Sequence, residues 1–262
     1  MTASFVDLLR SAVTEPGIIS SAYHQFHNYS LGNTLLAWSQ CVERNITPGP
    51  IATFMGWKDK GRHVKKGEKA IQLCMPVTCK RKGETTDDGT TDDAMFTRFI
   101  YRNNWFVLTQ TEGEPLADVT MPSWDRARAL AVLNVTEEPF AMFDGNCQGY
   151  ARQRMIAVSP VAALPFKTTF HEVAHILLGH TAEGDQADSD VTPRNLREVE
   201  AESVAMLCCA ALDLPGVEFS RGYIQSWWGV GNEIPERSAQ RILKVADQIL
   251  KAGAVDVLEG VR

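Results

Sequence analysis

Apolar positions recur at helical spacing in two stretches near the start of the chain. Residues 3–14 put Phe5, Leu8, Leu9 and Val13 on one side of a short amphipathic helix. Leu31, Leu35, Trp38 and Val42 do the same for a second helix, capped by Ser30 and ending near Glu43. Asn45 to Pro50 breaks that pattern. Ile51–Trp57, Ala70–Thr78 and Met95–Gln110 then read as strands. Between the first two lies the turn KDKGRHVKKGEK, with Gly61 and Gly67 as turn residues. Asn103-Asn104 marks a turn or a bulge in the third strand. The polar stretch 83–93 reads as a hairpin tip, and 111–122 as a linker.

Helical spacing dominates the second half. Ser123 is the expected cap of a helix reaching Asn134, and Met155–Val158 is a short strand. Further helices are expected over 167–178, closed by Gly179, and over 194–212, stopped by Pro215-Gly216. Two more fall over 220–228 and 235–252, with Pro235 in the first turn of the latter. Residues 181–193 read as a loop. The layout predicts an α+β fold: a small α+β domain with an antiparallel sheet over 1–120, then a mainly helical domain over 121–262.

Composition narrows the class. The 262 residues are 44% hydrophobic and 22% charged, which excludes a disordered or fibrous chain. No apolar run approaches the ~18 residues that would span a bilayer. The first residues lack a basic-then-apolar signal pattern, so the expectation is a soluble, cytoplasmic protein with no membrane partner. The six cysteines form no C-x-x-C pair and read as buried thiols of a reducing compartment.

Charge is unevenly spread. The net charge is −6, yet Lys58–Lys82 carries nine lysines and arginines against only Asp59 and Glu68. A local basic patch in an acidic chain points to a polyanion site. It also fits a solvated hairpin whose lysines guard an edge strand. The patch contains Trp57. Cations serve phosphates and an aromatic ring serves an unstacked base, so Trp57, Lys58, Arg62, Lys65, Lys66 and Lys69 are the candidate contacts of such a polyanion. Tyr101, Trp105 and Phe106 lie on the strand run beside them.

The sharpest chemical signal is HEVAH, His171 to His175. On a helix, residues i and i+4 share a face, so two imidazoles can hold one Zn²⁺, with Mn²⁺ or another divalent ion as the alternative. Glu172 then sits beside the open coordination position as the catalytic proton acceptor. His180 falls at the wrong spacing for a third ligand of the metzincin type and reads as a helix-end residue. The third ligand is sought in REVEAESVA, where Glu198 and Glu202 are also i and i+4. Glu198 is taken as the ligand and Glu202 as the group orienting a ligand histidine; the reverse remains the alternative. Glu200 points away from that pair. Tyr150 and Tyr223 are candidates for stabilising an oxyanion, and a peptide substrate is expected to pair with the strand Met155–Val158.

These motifs carry a family resemblance. YSLGNTLLAWSQ (29–40), GWKDKGRHVKKGEKAIQLCMPV (56–77) and FVLTQTEGEPL (106–116) resemble the single-stranded DNA-binding N-terminal domain of ArdC-type antirestriction proteins. The chain lacks the tryptophan- and proline-rich opening of many relatives. Its second half resembles the gluzincin-like metallopeptidase domain of that family, and HEVAHILLGH is similar to the helix of ImmA/IrrE-type peptidases. The pattern is carried by Tyr150, Phe166, His171–His175 and Glu198–Glu202. The resemblance implies a plasmid-borne protein that shields incoming single-stranded DNA from restriction during conjugation, held at the candidate contacts above with little sequence preference, because a single strand has no rigid groove to read. The alternative it leaves open is a zinc endopeptidase acting on a host regulator or restriction component, with DNA binding as targeting.

Overall fold

A computed structural model describes residues 4–81, 94–116, 121–142, 147–181 and 192–255. The chain is α+β and divides into two compact units, one of residues 36–117 and one of residues 1–35 with 118–262. The division expected at 120/121 put the opening helices in the first domain. Residues 1–35 group instead with the C-terminal part, and the rest of the second opening helix stays in the smaller unit.

In chain order the elements begin with α1 (Phe5–Thr14), α2 (Ile18–Phe26) and α3 (Leu31–Glu43), inside which the unit division falls, between Leu35 and Leu36. The smaller unit continues with β1 (Ile51–Thr53), α4 (Phe54–Asp59), β2 (Arg62–Val64), β3 (Ile71–Arg81), β4 (Ala94–Val107) and β5 (Thr111–Gly113). The larger unit adds β6 (Ser123–Trp124), α5 (Arg126–Val132), β7 (Thr136–Glu137), β8 (Gly149–Arg152) and β9 (Met155–Val158). It closes with α6 (Pro165–Leu177), α7 (Arg194–Ala211), α8 (Val217–Gly229), α9 (Glu236–Gly253) and β10 (Ala254–Val255).

In the smaller unit, β4 is central in the order β1-β4-β3, all antiparallel. Its register slips where Ile71 pairs with Trp105 but Gln72 with Asn103, so the Asn-Asn pair is a bulge. The strand expected over Ile51–Trp57 stops at Thr53, whose hydroxyl accepts from Gly56 N at 3.1 Å and starts α4. The expected linker begins as a strand: β5 pairs with β2 through Arg62, His63 and Val64. Gln40 of α3 covers the edge of β3, giving its amide to Gln72 O and accepting from Gln72 N, both at 2.8 Å. The expected hairpin tip, 83–93, and the side chains of Lys80, Arg81 and Lys82 lie outside the described residues.

The larger unit is built around α7, where every residue from Val199 to Ala211 is buried. A helix buried all round must be walled by others. Four of them, α2, α6, α8 and α9, pack against it, and α1 lies on α8 and α9. The α1 helix opens with a capping box between Ser4 and Asp7. Its next two free amides, Phe5 N and Val6 N, donate to the Glu236 carboxylate at 3.1 Å each. Ser123 is not the cap expected there: β6 pairs with β10, and Asp125 caps α5 by accepting from Arg128 N. The small sheet has the order β7-β9-β8, with β7 parallel and β8 antiparallel to β9. The helix α2 was not expected, because Gly17 at its start offers no side-chain cap to mark it.

Candidate metal centre

The HEVAH helix is positioned by ordinary means. Pro165 sits in the first turn of α6, where its missing N–H costs nothing. Phe170, Val173, Ala174 and Ile176 are buried, and Phe170 packs at 5.0 Å centroid distance against Trp124. That anchorage turns His171 and His175 to the other side, one turn apart. Their Nε2 atoms lie 3.1 Å from each other. Glu198 of α7 brings Oε2 to 3.5 Å from His171 Nε2 and 3.6 Å from His175 Nε2.

These three donors suit a divalent ion. A tetrahedron with bonds of 2.0–2.1 Å has edges of about 3.3–3.4 Å, close to the triangle formed here. Two imidazoles and one carboxylate serve several first-row divalent metals. Among the described residues, His171, His175 and Glu198 are the group with donor atoms converging in this way.

Behind the triangle stand two supports. His171 Nδ1 lies 3.0 Å from Glu202 Oε2, and Glu202 Oε1 lies 2.7 Å from Lys167 Nζ. Burial would push the Glu202 carboxyl up, but hydrogen bonds from His171 and Lys167 and the Lys167 charge bring it down to about 2. Burial likewise opposes a charged His171, and Glu198 and Glu202 outweigh it, holding the imidazole up at about 9 in the metal-free protein. Hydrogen bonds with both histidines hold Glu198 far below the ordinary range. The other support is one the sequence reading missed. His180 Nδ1 lies 3.0 Å from His175 Nδ1, and His180 Nε2 lies 2.9 Å from Glu200 Oε2. Glu200, read as turned away, is fully buried. Its signal was the glycine before His180. Gly179 (φ +78°) ends α6, with Gly179 N bonded to Ile176 O and His180 N to His175 O, which turns His180 back along the helix.

Glu172 is 8% exposed, and burial raises its carboxyl pKa against the pull of the two imidazoles. Cavities of about 400 and 460 Å³ flank it; both are lined by His171, Glu172 and Gly149. Lys167 and Phe219 line the first, and Tyr150, Arg194 and Glu198 the second. The strand expected to receive a substrate, Met155–Val158, cannot do so: β9 is the middle strand, bonded on both sides. Of the two edge strands, β8 is the one whose Gly149, Tyr150 and Ala151 line the second cavity. A Cβ on Gly149 would meet Thr168 Cγ2 at 2.6 Å and Glu172 Cγ at 3.2 Å, so only glycine lets β8 lie this close to α6. Tyr223 has its phenol raised by burial and then by the charges of Glu198 and Glu202.

In the smaller unit the basic patch splits into two groups. Lys58, Lys65, Lys66 and Lys69 are exposed. Trp57 is 1% exposed and donates its indole N–H to Phe106 O at 2.8 Å, so it is a core group and offers no ring for stacking. Arg62 is 9% exposed and spends its guanidinium on Thr111 Oγ1, Thr111 O, Gly113 O and Glu114 O. It ties β2 to β5 and is removed from the candidate contacts. Exposed rings are supplied instead by Phe99 (66%) and Tyr101 (39%), on one face of β4 opposite Pro76 and Cys74. Arg98 and Arg102 on the other face are exposed as well. The period-2 run RFIYR (98–102) held that signal.

Residues 11–106 match the family model of the N-terminal domain of anti-restriction factor ArdC. Two solved structures share the fold, both crystal structures of the antirestriction ArdC protein from the R388 plasmid. The metal-free one is 20% identical and matches with a TM-score of 0.53 over 95% of this chain and 94% of that one. The Mn(II)-bound one is 18% identical, with a TM-score of 0.52 over 95% and 97%. No curated protein sequence matches the chain.

Proposed function

We propose, for a chain whose residues 11–106 match the family model of the ArdC N-terminal domain and whose fold is similar to that of ArdC over 95% of its length, an antirestriction protein that binds single-stranded DNA and carries a metallopeptidase-like centre. The single observation behind the antirestriction reading is the family match over 11–106. The exposed Lys58, Lys65, Lys66 and Lys69, with Phe99 and Tyr101, support the DNA reading: cations for phosphates, rings for bases. With about four to six phosphates contacted, log K falls against log[salt] with a slope of about −3 to −4. Replacing Lys65 and Lys66 by alanine flattens it by about one to one and a half units. An unchanged slope in a salt titration moves the DNA site elsewhere.

His171, His175 and Glu198 would hold the ion, for which we propose Zn²⁺, with Mn²⁺ as competitor. Such an ion, when bound, polarises a carbonyl and makes water easier to deprotonate. The edge of β8 that no strand pairs with among the described residues receives an extended peptide by backbone pairing. Glu172, buried with its proton affinity raised, accepts a proton from the attacking water and returns it to the leaving amine. Tyr223 is the donor nearest in character to an oxyanion stabiliser, its phenol kept protonated.

A second reading is favoured by the two cavities beside Glu172 and the edge of β8: proteolysis of a host regulator or restriction component is the working activity, with DNA binding as targeting. Glu172→Gln separates the two. If protection of incoming DNA survives the substitution in a restriction assay, proteolysis is not the mechanism; if it is lost while DNA binding and metal content persist, the second reading holds.

A further inference from the structure

We propose that Glu200 and His180 form a relay that fixes the proton on His175 Nδ1 and so keeps its Nε2 available as a ligand nitrogen. This rests on the metal-centre reading above and adds to it two residues that touch no ion themselves.

A carboxylate has only acceptors, so at 2.9 Å Glu200 Oε2 takes a hydrogen bond from His180 Nε2–H. A neutral imidazole with its proton on Nε2 has a bare lone pair on Nδ1. That atom lies 3.0 Å from His175 Nδ1, and two bare nitrogens would repel at this distance. His175 therefore carries its proton on Nδ1 and donates it to His180. Its Nε2 is left with the lone pair, aimed at the point shared with His171 Nε2 and Glu198. Inverting the first link, with a protonated Glu200 donating to His180, inverts every later one and puts a hydrogen where the ligand lone pair should be. The relay is thus a tautomer selector.

Burial argues that it is more than a surface pairing. Glu200 is 0% exposed and the His180 side chain is 2% exposed. Among the described residues Glu200 Oε1 has no hydrogen-bond partner, so the contact with His180 is what this carboxylate is given. A buried carboxylate is costly unless it is well paired, and α7 is otherwise lined here by Val199, Ala201 and Val204, which would pack without one. The helix end supplies the other part. The left-handed turn at Gly179 and the bond from His180 N to His175 O (2.8 Å) bring the two imidazoles side by side. His171 is served separately by Glu202, so each ligand histidine has its own carboxylate, one direct and one through a second imidazole.

The test compares His180→Asn with His180→Phe by Mn²⁺ and Zn²⁺ titration. Asparagine places an acceptor oxygen where His180 has Nδ1; phenylalanine fills the space and offers none. The relay predicts that His180→Phe loses about 10–100-fold in affinity and that His180→Asn recovers most of it. Equal affinity in both variants overturns the relay, because a role in packing alone would not distinguish them. Nitrogen NMR of the full-length, metal-free protein is independent of both variants, and so serves even if His180→Phe fails to fold. It should show His175 with a protonated Nδ1 and an unprotonated Nε2; the opposite tautomer overturns the proposal. If the unsubstituted protein binds neither ion while NMR gives the expected tautomer, the metal reading fails and the relay stands as geometry alone.

Discussion

Gly149 and Glu202 show how single side chains set the terms of the site. At Gly149 the missing side chain lets β8 lie against Thr168 and Glu172. Gly149→Ala is expected to cost about 1–3 kcal/mol by forcing the strand off α6, read by urea denaturation. Stability equal to the unsubstituted protein would mean the two elements part freely. Glu202 is instead a group whose charge is stabilised on folding, with its pKa brought from the ordinary 4.5 to about 2. A depressed carboxylate contributes stability above its unfolded pKa and loses it as pH falls through its folded one. The metal-free protein should therefore lose stability between about pH 4.5 and pH 2, and Glu202→Gln should remove that part of the pH dependence. Pairing with Lys167 and His171 is the physical source, so a pH profile identical in the variant would place the loss on other groups.

Elements determine which residues are available for binding. The α4 turn carries Trp57 into the core, and β2 pairs with β5 through Arg62. Trp57→Ala should cost about 3–5 kcal/mol in the smaller unit, with any loss of DNA binding following unfolding. Lys65→Ala and Lys66→Ala should change stability by no more than about 0.5 kcal/mol while weakening binding. The end of α6 carries the other element-scale prediction. Gly179 sits at φ +78°, so Gly179→Ala is expected to lose about 1–2 kcal/mol, and Gly179→Asn less, since asparagine tolerates that region better. Thermal melts of the two variants check the order; alanine equalling asparagine would show that the helix end relaxes elsewhere.

At the scale of the molecule, ion binding and folding are linked, because the triangle of His171, His175 and Glu198 joins α6 to α7 only in the folded chain. A divalent ion at a hundred times its Kd should stabilise the larger unit by about 2.7 kcal/mol, reversed by chelator and absent in His171→Ala. Melting curves unmoved by Mn²⁺ and Zn²⁺ would remove the ion from the site. The helices α1, α3, α6, α7, α8 and α9 were legible because their apolar positions keep one period through many residues. The same period placed His171 with His175 and Glu198 with Glu202. It left α2 unmarked and misread Ile51–Trp57, because a run of seven apolar and small residues suits a strand or a buried helix equally.

Sequence alone determined what is local: helical phase, the spacing of the HEVAH histidines, the glycine that ends their helix and the run of lysines. Tertiary structure decided what depends on residues far apart in the chain. It buried Trp57 and Arg62, put β8 rather than β9 at an edge of its sheet, packed residues 1–35 with the C-terminal helices, and brought Glu200 to His180. The physical reason is that periodicity reports which face of an element is apolar, whereas burial of a particular polar group depends on which other element supplies its hydrogen-bond partner.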